Sequence, residues 1–407
     1  MIRAMNDVLA EDLPADLLPA ISSLLPELRD IRRDLHAHPE LSFQEIRTTA
    51  VVTRRLSAAG ISWRPIAGGT GAIADLGAEQ PAYRVALRAD IDALPVRERT
   101  GLDWASQTPD VCHACGHDFH TAAVLGAGLV LQELQDELRA RGIGVRLLFQ
   151  PAEEVIPGGA HTLIEAHALE GVDSVFAVHC DPSLDVGQIG LRKGPLTAAC
   201  DQVRVELTGK GGHTSRPHLT EDLTFALAKV VTDVPAALSR RLDPRAGAAL
   251  VWGEVHAGKA SNVIPSSGYA TGTLRMLDAT VWESIGPLLQ EIVHDVVAPY
   301  NVSARLLRDR GVPPVVNVGA AIDLFESAVR GMGLTAVPTA QSLGGEDFSW
   351  FLSRVPGAMA RLGTRTPGGR TFDLHQGDLI IDEAALTHGV ELFTGVVFAG
   401  RLKPGEQ

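Results

Sequence analysis

The chain has 407 residues, of which 45% are hydrophobic and 21% charged, and a formal net charge of -13. That length exceeds one ordinary core and predicts two domains, and the composition is that of a folded globular protein rather than a disordered one. The acidic balance, without any Lys/Arg-rich block, argues against nucleic acid as a partner, and no apolar run reaches the ~18 residues that a membrane span requires.

The amino terminus, MIRAMNDVLAEDLPADLL, carries acids where a secretion signal has a continuous apolar stretch, so the cytoplasm is the expected location. LLPAISSLLPELRDIRRDLHAH and FQEIRTTAVVTRRLSAAG then place apolar residues at helical spacing, the second up to Gly60. Three apolar, strand-like runs follow: YRVALRAD, GVRLLFQPAEE and VDSVFAVHCD. Helical stretches separate them, notably HTAAVLGAGLVLQELQDEL. This alternation predicts an α/β fold with a mainly parallel sheet and helices on both faces. Each of the three runs stops on residues able to bind a metal or move a proton: Asp90, then Glu153 and Glu154, then His179. In open α/β sheets the ligand crevice lies outside the carboxyl ends of the strands, so these endings predict a site there.

The pattern changes near residue 200. QVRVELTG alternates polar and apolar residues as a half-wet strand does, and an amphipathic helix follows over roughly 220–240. AALVWGEVHAG and GYATGTLRML are the next strands, TVWESIGPLLQEIVHDVVAPY a helix, and VSARLLRD a last strand. The order βαββαβ predicts a self-contained α+β domain of ferredoxin-like type. Gly-Val-Pro-Pro at 311–314 marks its exit, after which GAMARLGT and DEAALTHGVELFTGVVFAGRL resume the α/β pattern. The predicted organisation is one domain from 1–199 and 311–407 with a second, 200–310, inserted into it.

The four cysteines, Cys112, Cys115, Cys180 and Cys200, do not make a secreted disulfide scaffold. In VCHACGHDFH the pair Cys112/Cys115 has the spacing of a structural zinc clip or a redox couple, and a buried thiol beside surface histidines is the plain alternative. A four-cysteine zinc site needs a second close pair, which Cys180 and Cys200 do not form. Cys115-Gly116-His117 reads differently: a thiolate and an imidazole at a glycine bend before a helix, able to face one cation. Glu153 and Glu154 leave their strand in different directions, so one carboxylate can bind a cation while the other takes a proton from activated water. His179 and His375 are lone histidines that would complete a mixed S, N and O donor set with Cys115, His117 and Glu154. Five such donors suit two cations sharing a bridge, and Zn, Mn, Co or Ni rather than Mg or Ca. Asp90 is a candidate for orienting a ligand imidazole, with an ordinary acid cluster at the strand end, Asp92 included, as the alternative. The inserted domain offers His213 of GKGGH, which can donate to an oxyanion, Asn262 of NVIP, and Arg275 of GTLRM, which can grip a carboxylate or, equally ordinarily, face solvent from its strand.

HPELSFQE, LRADIDALP, HACGHD, QPAEE with PGGA, GKGGH, NVIP, GTLR, GGEDF and the late LH with its following DE together resemble the dinuclear-metal amidohydrolases. These are the aminoacylase and carboxypeptidase-G-like metallopeptidases, in the branch of hippurate hydrolase and the indole-acetyl-amino-acid hydrolases. The resemblance runs from about residue 28 to 400. It implies that Cys115 bridges two metals, with His117, Glu154, His179 and His375 completing their shells and Glu153 as the general base. It implies Asp90 as a supporting carboxylate, with Arg88 where other branches carry a metal-binding His. It further implies that His213 completes the oxyanion hole across a homodimer (or larger oligomer) made by the inserted lid domain, and that Asn262 and Arg275 meet the substrate's carboxylate end. Cys112 replaces a frequent Met of this branch, LHQGDLIID lacks an expected Pro and aromatic residue, and Trp252 and His256 precede NVIP; these positions would line the acyl pocket.

The expected activity is therefore metal-dependent hydrolysis of the amide bond of a small N-acyl amino acid. A metallopeptidase acting on dipeptides or other small amides is the neighbouring alternative. A cysteine hydrolase built on Cys115 would work without metal, and a metal-dependent binding protein would have no use for Glu153.

Overall fold

The computed structural model describes residues 13–402. The chain divides into two compact units. One is built from the described residues up to Gly194, Val316–Ala340, and Asp347 onward; the other comprises Pro195–Val315 and Gln341–Glu346.

The first unit is organised on an eight-stranded sheet. Across it, in order, stand Ser62–Pro65, Ala72–Gly77, Ile143–Gln150, Tyr83–Asp90, Ser174–Asp185, Gly357–Arg365, Gln188–Leu191 and Thr335–Pro338. The centre is parallel: Tyr83–Asp90 pairs in parallel with both Ile143–Gln150 and Ser174–Asp185, and Gly357–Arg365 joins Ser174–Asp185 in parallel. Antiparallel pairings occur between the first three strands and between Gly357–Arg365 and Gln188–Leu191. The sheet is thus α/β and mostly parallel, with antiparallel strands toward its margins. Ile143–Gln150 is buried along its whole length, which is why its sequence is an apolar run rather than an alternation.

Helices Leu17–Ala37, His117–Glu133 and Ala385–Phe398 pack on one another, and His117–Glu133 lies against Tyr83–Asp90. Ala160–Glu165 and Ser349–Leu352 form a separate pair, the former against Ile143–Gln150. His117–Glu133 is buried from His117 to Leu131, so it carries no polar stripe. It begins after Gly116, whose φ of 84° is the left-handed region; a Cβ there would meet the Cys180 Sγ at 3.0 Å. The parallel register sets Asp90 beside Gln150, and His179 beside Arg361 of the next strand, so the strand ends that carry Asp90, Glu153, Glu154 and His179 open on one edge of the sheet.

The second unit has a four-stranded antiparallel sheet in the order Ala249–Ala257, Ser267–Met276, Ala199–Thr208, Ser303–Val312. Helices Leu223–Arg241 and Ala279–Val297 pack together and against it, completing the βαββαβ order. Each helix has an aspartate N-cap: Asp222 accepts from the Phe225 N–H and Asp278 from the Val281 N–H. Asp201, fully buried, is neutralised by Arg308 at 2.6 Å and also accepts from Trp282 Nε1 and the Gly311 N–H. Ala249–Ala257 is an edge strand, and Val251 and Val255 are exposed on it at 63% and 49%. Among the described residues, no helix is long and apolar enough to cross a membrane.

Candidate active site

Six of the residues singled out in the sequence meet at the strand-end edge of the first unit. Cys115 Sγ, His117 and His179 place their donor atoms within 4.8 Å of one another, as do Cys115, Glu154 and His375, and as do His117, Glu153 and Glu154. Cys115 belongs to two of these groups, and its Sγ lies 3.4 Å from His179 Nε2. His375 reaches the site because its own N–H donates to the Ala114 carbonyl at 2.8 Å, with φ at 60°. Its Nε2 lies 3.5 Å from Glu154 Oε1.

The partners of each imidazole decide its tautomer. His179 Nδ1 donates to the Cys180 carbonyl at 2.8 Å, which leaves the Nε2 lone pair aimed at Cys115. Burial holds the His179 imidazolium well below its ordinary range, which favours a neutral ring with a lone pair to donate. His117 Nδ1 donates to Asp92 Oδ1 at 3.2 Å, leaving Nε2 3.7 Å from Glu154 Oε1. Burial would lower the His117 pKa, but Asp90 and Asp92 hold it well above the ordinary value. Burial pushes the Cys115 thiol up, and Glu154 and Glu153 push the same way. It also raises Glu154.

His117 Nε2 and Glu154 Oε1 are both buried without a hydrogen-bond partner among the described residues. Two acceptor atoms facing each other at 3.7 Å are unfavourable unless a proton or a cation lies between them. A thiol, three imidazoles and a carboxylate fall into overlapping groups that share Cys115, and this is a donor set for borderline-soft divalent ions. The residues present therefore fit a metal centre.

The supporting carboxylates differ from the sequence expectation. Asp90 Oδ1 accepts from His120 Nδ1 at 2.6 Å and its Oδ2 from Arg88 at 2.7 Å. His120 Nε2 accepts from the Cys180 N–H at 2.9 Å, so both nitrogens of His120 are occupied and it does not offer a ligand atom. Asp90 thus braces a structural histidine. Asp92 is the carboxylate that orients His117; its other oxygen accepts from the Glu154 N–H at 3.0 Å and Ser42 Oγ at 2.7 Å. The sequence showed both aspartates but held no signal for which one faces His117.

Arg88 is fully buried and also binds Gln150 Oε1 and Asp347 Oδ1, at 2.8 and 2.9 Å. Asp347 accepts from the Ala160 N–H at 3.0 Å, so the GGEDF motif acts on the loop after Ile143–Gln150, the loop that carries Glu153 and Glu154. Cys112 is buried, exchanges backbone hydrogen bonds with Leu94, and burial pushes its thiol up to about 12; it and Cys115 are both free thiols. Behind Cys115-Gly116-His117, Asp118 binds Arg32 at 2.7 Å and His36 at 2.9 Å, anchoring the helix start.

In the second unit, His213 and Asn262 are neighbours at a small two-stranded antiparallel sheet in which His213 pairs with Val263, and the Thr214 N–H donates to the Asn262 carbonyl. His213 Nδ1 accepts from the Ser215 N–H and lies 2.9 Å from Ser215 Oγ, so its exposed Nε2 carries the proton. Arg275 stands at the far end of Ser267–Met276, where it binds the Leu343 carbonyl. Ser267 and Arg275 are roughly 26 Å apart along that strand at ~3.3 Å per residue, and the two-stranded sheet adjoins its Ser267 end through Gly209. The unit therefore does not bring Asn262 and Arg275 onto one small molecule. Trp252 and His256 lie on the edge strand Ala249–Ala257.

Residues 86–399 match peptidase family M20/M25/M40. A Bacillus subtilis protein named N-acetyl-L-cysteine deacetylase is 39% identical over 384 residues, covering 94% of this chain and 89% of that one. A Rhodococcus jostii protein bearing a glutamate–cysteine ligase name is 48% identical over 380 residues, 92% of this chain, which spans 47% of that relative's length. A crystal structure from Bacillus subtilis, described as a dinuclear metal binding peptidase of the M20 family, superimposes with a TM-score of 0.82 at 33% identity, covering 93% of this chain and 98% of that one. The chain belongs to peptidase family M20/M25/M40 and is a hydrolase acting on amide bonds.

Proposed function

We propose that the protein hydrolyses the amide bond of N-acyl amino acids with two divalent transition metal ions (Zn, Mn, Co or Ni) held by Cys115, His117, Glu154, His179 and His375. The observation that carries this reading is the pair of donor groups sharing Cys115, with Glu153 within 4.8 Å of the donor atoms of His117 and Glu154. Similarity to an N-acetyl-L-cysteine deacetylase and to a dinuclear metal binding peptidase supports it. When bound, such ions supply Lewis acidity toward an amide carbonyl and toward water.

The remaining work falls to the chain. Glu153 takes the proton of the attacking water and returns it to the leaving amine, a role suited to a carboxylate whose oxygen lies within 4.8 Å of the donor atoms of His117 and Glu154. His213 donates Nε2–H to the developing oxyanion, which its hydrogen bond with Ser215 supports by fixing the tautomer. Asn262 and Arg275 bind the carboxylate end of the substrate. Since Arg275 stands at one end of Ser267–Met276 and Asn262 beside its other end, we assign them to two copies of the chain in a homodimer or larger oligomer. The segment 200–310 is then the lid and dimerisation domain and 1–199 with 311–407 the catalytic domain, and the exposed edge strand Ala249–Ala257 is the surface that supports this reading.

The test is a panel of N-acetyl, N-benzoyl and long-chain N-acyl amino acids beside unmodified dipeptides. The expected result is kcat/KM at least about tenfold higher on an N-acyl amino acid, a margin of ~1.4 kcal/mol in transition-state binding. Turnover of dipeptides alone would replace this reading by the metallopeptidase one.

A further inference from the structure

Six described residues other than glycine have positive φ: Phe43, Asp110, Ala152, His167, Asn301 and His375. Asn, Asp and His tolerate the left-handed region comparatively well, whereas Phe and Ala gain nothing locally from it. Phe43 (φ 62°) and Ala152 (φ 55°) must therefore be held there by something else. Both donate their N–H to one atom, Glu45 Oε1, at 3.0 and 2.8 Å. Glu45 lies just before helix Ile46–Ala58 and is fully buried.

Ala152 is the residue before Glu153 and Glu154. Its carbonyl accepts from the Gly159 N–H at 2.8 Å, closing the loop that carries both carboxylates. The two other fixed points of this loop are the Glu154 N–H on Asp92 and the Ala160 N–H on Asp347. Those two lie beyond Glu153. The residue before Glu153 is held by the Gly159 bond, which closes within the loop itself, and by the Glu45 contact, which ties Ala152 to a distant segment, so that oxygen helps to set the direction in which the chain leaves Ala152 toward Glu153.

We propose that Glu45 is a positioning residue: by holding Ala152 left-handed through its Oε1, it sets where Glu153 and Glu154 point. The inference rests on the roles given above to those two residues. What matters in it is the place of an acceptor oxygen, not a charge. Glu45→Gln keeps the acceptor and removes the charge, while Glu45→Asp keeps the charge and withdraws the oxygen.

The experiment compares both variants with the parent protein for melting temperature, kcat and KM, and for cobalt(II) affinity of the metal-stripped protein followed by the visible spectrum. Glu45→Gln is expected within about threefold of the parent in kcat and cobalt affinity. Glu45→Asp is expected to lose about tenfold or more in both, the range seen when a group supporting a ligand is removed, with KM little changed. Adding Ala152→Gly to Glu45→Asp, which lets the turn adopt φ near 55° without strain, is expected to recover severalfold of each loss, including folding if Glu45→Asp alone does not fold. Equal behaviour of Glu45→Asp and the parent would overturn the proposal. So would a Glu45→Gln loss as deep as that of Glu45→Asp, or no recovery in the double variant. If the parent turned over no N-acyl amino acid, the functional reading would fall, and the cobalt titrations would still decide on Glu45.

Discussion

Asp92 binds His117 and Glu154 at once: Oδ1 accepts from His117 Nδ1 at 3.2 Å and Oδ2 from the Glu154 N–H at 3.0 Å. One buried carboxylate therefore orients two members of the donor cluster that come from different segments of the chain. Asp92→Ala removes both acceptors. It is expected to weaken metal affinity about 10- to 100-fold, measured by competition with a chromophoric chelator. Affinity unchanged from the parent would mean that His117 and Glu154 hold their directions without it.

Glu153 tests the division of labour between adjacent carboxylates. Glu153→Gln is expected to keep the parent's metal content and lose about 10²- to 10⁴-fold in kcat, the usual weight of a general base. Metal content and steady-state rate on the same preparation check it. Near-normal turnover would remove Glu153 from the reaction, and loss of metal would make it a ligand.

Glu45 also predicts a dependence of stability on pH. Burial, with Asp92 adding to it, pushes its carboxyl from an ordinary 4.5 up to about 7. Between these values the folded chain holds a proton that the unfolded chain has released, so folding gains from Glu45 below 4.5 and loses that gain as pH rises to 7. Other carboxylates pull in the opposite sense, so the difference between parent and variant is the informative quantity. Glu45→Gln, which cannot ionise, is expected to become progressively more stable relative to the parent as pH rises across that window. Denaturant unfolding of the metal-stripped proteins at pH 5 and pH 7.5 measures this. A difference independent of pH would place the Glu45 carboxyl near its ordinary value.

The edge strand predicts an assembly phenotype. Val255→Lys puts a charge in the middle of Ala249–Ala257, a substitution that blocks edge-to-edge pairing. The expected outcome is a parent of dimeric mass or larger and a variant of monomeric mass in sedimentation, with activity lost on dissociation. A monomeric, fully active parent would refute the assignment of His213, Asn262 and Arg275 to two copies.

Much of this site was legible because its chemistry sits at strand ends. The apolar runs before Asp90, Glu154 and His179 announced parallel strands, and the register of a parallel sheet does the converging. Cys115-Gly116-His117 was legible through its glycine, since the φ of 84° is what the turn demands. What stayed hidden was pairing over distance. Ala152 and Glu45 are 107 positions apart, and Arg88 and Asp347 are 259 apart. No local pattern encodes either bond. Asp90 and Asp92 were indistinguishable for a related reason: both follow the same apolar run, and only the position of the helix start at His117 decides between them. The short strands Ser62–Pro65 and Ala72–Gly77 escaped a reading based on periodicity, being too brief to show one.

The central claim is that amide hydrolysis here depends on metal held by the cluster sharing Cys115. Its most direct measurement is the elemental content and amidase rate of one preparation, before and after stripping with a chelator and again after adding back Zn, Mn, Co or Ni. The account predicts up to two transition metal ions per chain, loss of the rate on stripping, and its return with at least one of these ions. A metal-free preparation with its full rate would contradict it.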